Sequence, residues 1–250
     1  MIENQIRKIA KNNKYEFIHV NSTASTMDDV KKLLNTNNKN CIFLADEQTN
    51  GVGRRGNYWH SPKGNLHCSI SIDNFLEIKD HFLYSILICV SIKMVLEKFG
   101  VKKIKFKWPN DIFYENQKIG GMISEIIKVG KFNKYIIVGF GMNITSSPEI
   151  KGHPTNYLKS FCDIQNTNDF LVLFFEIFFL NLQNLRIKKT KKMYDIFTRS
   201  LMFMNENITI IQPNKSILSG IFRGIESDGS LQLEKNNIIE KIYNGTIKLC

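Results

Sequence analysis

Apolar residues along this chain follow two rhythms, and the switches between them lay out the elements. Leu66, Cys68, Ile70 and Ile72 alternate with His67, Ser69, Ser71 and Asp73, the period-two pattern of a strand with one apolar and one polar face. Residues 15–20 alternate similarly, and residues 41–45 read as a short apolar strand. Helical spacing takes over where Met27, Val30 and Leu34 follow Ser25-Thr26-Met27-Asp28, which has the form of a capping box. Residues 82–99 predict a long apolar helix stopped by Gly100, and residues 169–187 and 191–203 predict two more. Ile2, Ile6 and Ile9 near helical spacing predict a short leading helix.

Four strand-like runs (103–108, 112–114, 119–128 and 134–144) follow one another across short turns. Such close succession predicts an antiparallel or mixed sheet and not repeated βαβ units. From Glu206 onward only short strands remain, punctuated by Pro213-Asn214, Gly220, Gly224, Asp228-Gly229 and Asn244-Gly245. The expected architecture is therefore α+β, with a sheet and flanking helices over residues 1–204 and a small β-barrel over 205–250. Residues 145–205 carry no usable motif.

Composition narrows the class. Five cysteines lie far apart with an odd count and no Cys-x-x-Cys pair, which argues against a zinc site or disulfide framework and for a reducing compartment. The most apolar runs, 82–92 and 170–182, fall short of the ~20 residues that span a bilayer. No basic-then-apolar segment opens the chain, so a cytoplasmic protein without a membrane partner is expected. The net charge of +11 could serve nucleic acid, yet Lys is scattered throughout. The densest run, Lys188-Lys189-Thr190-Lys191-Lys192, reads as a solvated face, and acidic partners such as ATP or an acidic carrier domain suit such a surface.

The chemistry concentrates in two stretches. Lys107-Trp108-Pro109-Asn110-Asp111, then Lys118 and Gly120-Gly121, brings a carboxylate, a lysine and two glycines into fifteen residues. This spacing can set the cation and the carboxylate on either side of a small pocket where backbone approaches a ligand closely. Gly51-Val52-Gly53-Arg54-Arg55-Gly56 fits a dinucleotide fingerprint, but Asn57-Tyr58-Trp59-His60-Ser61-Pro62 follows, which is no helix start. A flexible glycine loop with two guanidiniums, able to close over a phosphate or carboxylate, is the better reading beside an ordinary surface loop.

These motifs together resemble the biotin protein ligases, with the run from Asp46 to Leu66 similar to the family's G-R-G-R-x-x-R-x-W and S-P-x-G loop. Val52 and Asn57 stand where the family usually has Arg, which puts retention of an adenylate in question. The resemblance implies a class II synthetase-like catalytic domain and an SH3-like carboxyl-terminal barrel. It implies biotin contacts from Ser25, Thr26, Gln48, Gly51, Gly53, Ser69, Lys118, Gly121 and Gly141. From the sequence alone the plain helix cap is the favoured reading of Ser25 and Thr26, and a hydroxyl at a helix start can cap and face a pocket at once. Nucleotide contacts would come from Arg54, Arg55, Trp59, Asn110, from Asn143 of Gly139-Phe140-Gly141-Met142-Asn143, and from Arg223; a surface arginine is the alternative for the last. Lys118, Asp111 and Arg54 would carry catalysis, with biotin and ATP as substrates and Mg²⁺ of unassigned ligands.

The implied reaction joins biotin to a lysine of a biotin carboxyl carrier domain through biotinyl-5′-AMP. Two anions must meet, so cations have to neutralise them; Asp111 then orients or deprotonates the acceptor amine. The expected protein is a monomer or homodimer without specific DNA binding, because fourteen residues before Tyr15 leave no room for a helix-turn-helix domain. Two rivals stand beside this reading: a lipoate or octanoate transferase on the same fold, and a basic nucleic-acid module using the aromatics of Lys103-Ile104-Lys105-Phe106-Lys107-Trp108.

Overall fold

The computed structural model describes residues 2–130, 133–164 and 167–248; Cys250 lies outside them. After helix α1 (Ile2–Asn12), strand β1 (Glu16–Thr23), helix α2 (Thr26–Asn37) and strand β2 (Cys41–Gln48) form a single βαβ unit, with β1 parallel to β2. Everything later in the main sheet is antiparallel: β3 (Leu66–Asp73), then β4 (Ile104–Lys107), β5 (Asp111–Tyr114), β6 (Gln117–Val129) and β7 (Asn133–Met142) after helix α3 (Leu83–Lys98). The resulting order is β1-β2-β3-β7-β6-β5-β4. The mixed sheet expected from the closely spaced strands is thus present.

The two faces of this sheet are covered differently. One carries α1, α3 and helix α4 (Thr167–Arg186), and between them lies the main core. Phe170, Phe174 and Phe178 stack along α4 at i, i+4 spacing, fully buried. The other face carries α2, whose Met27, Val30 and Leu34 form a second, smaller core with Phe43, Tyr135 and Ile137. Beside α2 this face is left to polar groups. His67, Ser69 and Ser71, the polar side of β3, are nonetheless buried.

Helix α5 (Lys191–Arg199) ends four residues before the sequence pattern does. The edge strand β4 captures the chain there: Phe106 N donates to Ser200 O at 2.8 Å and Met202 N to Phe106 O at 2.9 Å. An unpaired edge is a better partner for this backbone than another helical turn. The chain then forms a five-stranded antiparallel sheet from β8 (Asn207–Ile211), β9 (Ile217–Ile225), β10 (Leu231–Lys235), β11 (Ile238–Ile242) and β12 (Thr246–Ile247), in the order β11-β10-β9-β8-β12. Trp108 Nε1 donates to Gly229 O at 2.9 Å, tying this module to the turn after β4. Gly229 has φ of 82°, and a Cβ there would stand 2.6 Å from the Phe82 ring, so the turn and the packing both require glycine.

Candidate active site

Gly139 and Gly141 lie two residues apart on one face of β7, opposite Ser69 and His67 of β3. Each accepts a side chain where a Cβ would otherwise be. A Cβ on Gly139 would lie 2.7 Å from Met27 Cγ, and one on Gly141 would lie 2.4 Å from Trp59 Nε1. The two glycines therefore floor a cavity of about 700 Å³ between the amino terminus of α2 and residues 52–60. Met27 marks one end and Trp59 the other.

The Met27 end is neutral and internally hydrogen-bonded. Ser25 caps α2, its Oγ accepting from Asp28 N, so the cap reading of this pair holds while Ser25 and Thr26 also line the cavity. Gln48 Oε1 accepts from Thr26 N at 2.9 Å and Thr26 Oγ1 at 3.0 Å, which fixes the orientation of its amide. Ser69 lies behind Thr26, 2.7 Å from its hydroxyl, and is not itself a wall residue.

The Trp59 end is cationic. Arg54, Arg55, Lys107 and Lys118 line it, with Asp111 as its one carboxylate. Lys118 Nζ lies 2.6 Å from Asp111 Oδ1, so these two are a direct ion pair and not the opposite walls expected from their spacing. The register explains this: Asp111 pairs with Gly121 across β5 and β6, and a shift between Ile112 and Phe113 brings Lys118 onto the same face. Gly121 leaves room for both, since a Cβ there would lie 3.3 Å from Asp111 Oδ1 and 3.5 Å from Lys118 Cε. Lys118 Nζ also stands 5.3 Å from the centre of the Trp59 ring. Burial pushes the Arg54 guanidinium below its ordinary value, Arg55 adds to this, and Asp111 opposes it.

The glycine loop adopts a hairpin. Val52 bridges Tyr58, and Gly53 N donates to Asn57 O at 2.7 Å. Gly51 sits behind the wall, where a Cβ would lie 2.4 Å from Trp59 O; it gives the backbone room and does not face the cavity. Gly53, Asn110 and Asn143 do line it. Asn110 Nδ2 donates to Met122 O at 2.7 Å and Asn143 Nδ2 to Asn156 O at 3.0 Å, so both hold the backbone of the walls. Arg223 is not brought in: it pairs with Glu234 and donates to Asn205 Oδ1 at 2.9 Å, within the carboxyl-terminal module.

Three contributors escaped the sequence reading. Lys107 is buried, and that burial pushes its ammonium below the ordinary lysine value, with Asp111 opposing the shift and Lys118 adding to it. The signal was available, because Lys103, Lys105 and Lys107 alternate with Ile104, Phe106 and Trp108, all three buried in the core. The same alternation removes the stacking platform that a nucleic-acid module would need. Residues 148–155 form another wall through Pro148, Ile150, His153, Pro154 and Thr155, clamped to Lys118 by Lys118 N to Pro154 O and Asn156 N to Lys118 O, both 2.9 Å. Thr246 reaches in from the carboxyl-terminal module, and Arg54 Nη1 lies 3.5 Å from Gly245 O. No local pattern marks either segment.

Among the described residues, no group of three His, Cys, Asp or Glu side chains could hold a metal ion. The cavity's one carboxylate is already paired, so its walls do not fit a protein-held Mg²⁺. Nor is any single described helix long and apolar enough to cross a membrane.

The profile of the biotin/lipoate A/B protein ligase family matches residues 18–143, and that of the biotin protein ligase C terminal domain matches residues 203–249. Similar proteins include the bifunctional ligase/repressor BirA of Escherichia coli, 26% identical over 228 residues, covering 82% of this chain and 65% of that protein. The Bacillus subtilis BirA is 25% identical over 236 residues, covering 90% and 71%. The chain thus spans roughly two thirds of the length of these relatives. Among solved structures, the Aquifex aeolicus biotin protein ligase in complex with biotin and ATP superposes with a TM-score of 0.75 at 21% identity, covering 93% of this chain and 97% of that one. At that identity the likeness establishes the fold.

Proposed function

The chain belongs to the biotin/lipoate A/B protein ligase family, and from that premise we propose that it activates biotin with ATP and transfers it to a lysine of a carrier protein. One observation carries this reading: a neutral, hydrogen-bonding pocket opens directly onto a cluster of cations within a single cavity. A ureido ring offers both donors and an acceptor, and Ser25, Thr26 and Gln48 offer the complement. The dithiolane of a lipoyl group offers neither and would gain no hydrogen bond from these groups. The match of residues 203–249 to the biotin protein ligase module supports the same choice.

In the first step a biotin carboxylate oxygen attacks the α-phosphorus of ATP, a P–O bond breaks and pyrophosphate leaves. Arg54, Arg55, Lys107 and Lys118 offset the repulsion between the two anions, and they act strongly because the site is partly desolvated. Lys118 turns from Asp111 towards the new charge. This frees the Asp111 carboxylate for the second step, in which the acceptor amine attacks the anhydride carbonyl, its C–O bond breaks and AMP departs. Asp111 accepts the proton that the amine must lose. Magnesium would arrive as a counter-ion of the nucleotide, and no step here depends on a protein ligand for it.

The test is to co-express the chain with a biotin-acceptor domain and weigh the acceptor. A mass increase of one biotinyl group on the acceptor lysine is expected. A lipoyl or octanoyl increase, or none, rejects the assignment.

A further inference from the structure

The cavity's two ends are joined by one directional chain of hydrogen bonds. Thr26 spends its hydroxyl proton on Gln48 Oε1 at 3.0 Å, so Ser69, 2.7 Å away, is the donor to Thr26. On the other side of the same amide, Gln48 Nε2 donates to Ser61 Oγ at 2.9 Å, and Ser61 Oγ donates to Trp59 O at 3.0 Å. Every hydroxyl in the chain therefore has its proton committed in one sense, from Ser69 to the Trp59 carbonyl. Ser61 is buried and lies outside the cavity lining, so it has no ligand of its own to contact.

Trp59 is what this chain holds in place. Its ring lies on Gly141 beneath the Lys118 ammonium, and its Nε1 is buried without a partner. Gly51 is glycine because a Cβ there would meet Trp59 O at 2.4 Å and Ser61 Oγ at 2.6 Å, the two atoms that form the last link. We propose that Ser61 is a positioning residue that couples occupation of the Thr26–Gln48 pocket to the placement of Trp59, and hence to the readiness of the cationic end for nucleotide. A ligand that re-aims the Gln48 amide changes the bond to Ser61, and the Trp59 carbonyl is the atom on which that change lands. This inference rests on the function proposed above.

The chain contains two tryptophans and both line the cavity, so emission is read in a Trp108→Phe background, where a ligand-dependent change reports on Trp59. Wild type, Ser61→Ala and Ser61→Thr are compared for biotin affinity by calorimetry, for ATP KM in biotin-dependent pyrophosphate exchange, and for the emission change on adding biotin alone. Ser61→Ala should keep biotin affinity within about threefold, raise the ATP KM roughly tenfold as expected for one lost buried hydrogen bond, and lose the emission change. Ser61→Thr, which keeps the hydroxyl, should recover most of both. An alanine variant with wild-type ATP KM and emission response overturns the coupling, as does one whose biotin affinity alone falls, or a threonine variant no better than alanine. A wild-type protein that ignores biotin overturns the proposed function itself, and this inference with it.

Discussion

The two ends of the cavity solve opposite problems with the same backbone floor. At Gly139 the polar groups are neutral, paired with one another and fixed in orientation before any ligand arrives. At Gly141 four cations gather around one carboxylate, and burial pushes the Arg54 and Lys107 charges towards their neutral forms. The neutral end is already at rest and contributes recognition. The cationic end is under-compensated, which disfavours the empty protein and favours any anion that enters. Substitutions at the first end should therefore alter binding of the small acid, and those at the second should alter chemistry and nucleotide binding.

The sharpest way to break this division is Lys118→Ala. Loss of a positioned charge at the reacting phosphate should cut biotin-dependent pyrophosphate exchange by about 10²–10³, with a much smaller loss of biotin affinity. An exchange rate near wild type would remove Lys118 from the chemistry. Thr26→Val acts at the other end and keeps the shape while deleting the hydroxyl between Gln48 and Ser69. Biotin KM should rise roughly tenfold or more with little change in kcat, and stability should fall by about 1–3 kcal/mol. A fall in kcat with biotin KM intact would contradict the assignment of ends.

Lys107→Met sharpens the contrast, because the two ends differ in what their empty state costs. Removing a poorly compensated buried cation should raise the ATP KM roughly tenfold, yet stabilise the protein by about 1 kcal/mol, or about 2–4 °C in Tm. Thermal melts and exchange kinetics on the same preparation would expose any other combination. A smaller effect appears with pH. The folded protein holds the Lys107 proton less tightly than the unfolded chain does, with an ordinary value of 10.5. Stability should therefore rise with pH in the window below that value while nucleotide binding weakens as the cation is lost. Lys107→Met should flatten both trends, and trends that survive the substitution belong to another group.

Much of the frame could be read from the sequence because its signals are local. Period-two alternation gave β3 with its polar side, Ser25 gave the start of α2, and the close spacing of strands gave an antiparallel neighbourhood. The failures were tertiary. The end of α5 is set by the free edge of β4, which propensity in residues 199–203 does not encode. The Asp111–Lys118 pair depends on a register shift in the β5–β6 pairing, and Arg223 is drawn to Glu234 by a strand pairing invisible in its own motif. The wall at residues 148–155 depends on a backbone clamp with no side-chain signature. Lys107 was legible and passed over, since the alternation around it places it opposite Phe106.

The most direct test is biotin-dependent exchange of pyrophosphate into ATP by the purified wild-type protein, run in parallel with lipoate and octanoate. Exchange that requires biotin and is not supported by the other two acids is the predicted result. Exchange supported by lipoate or octanoate and not by biotin, or by none of the three, would contradict the account.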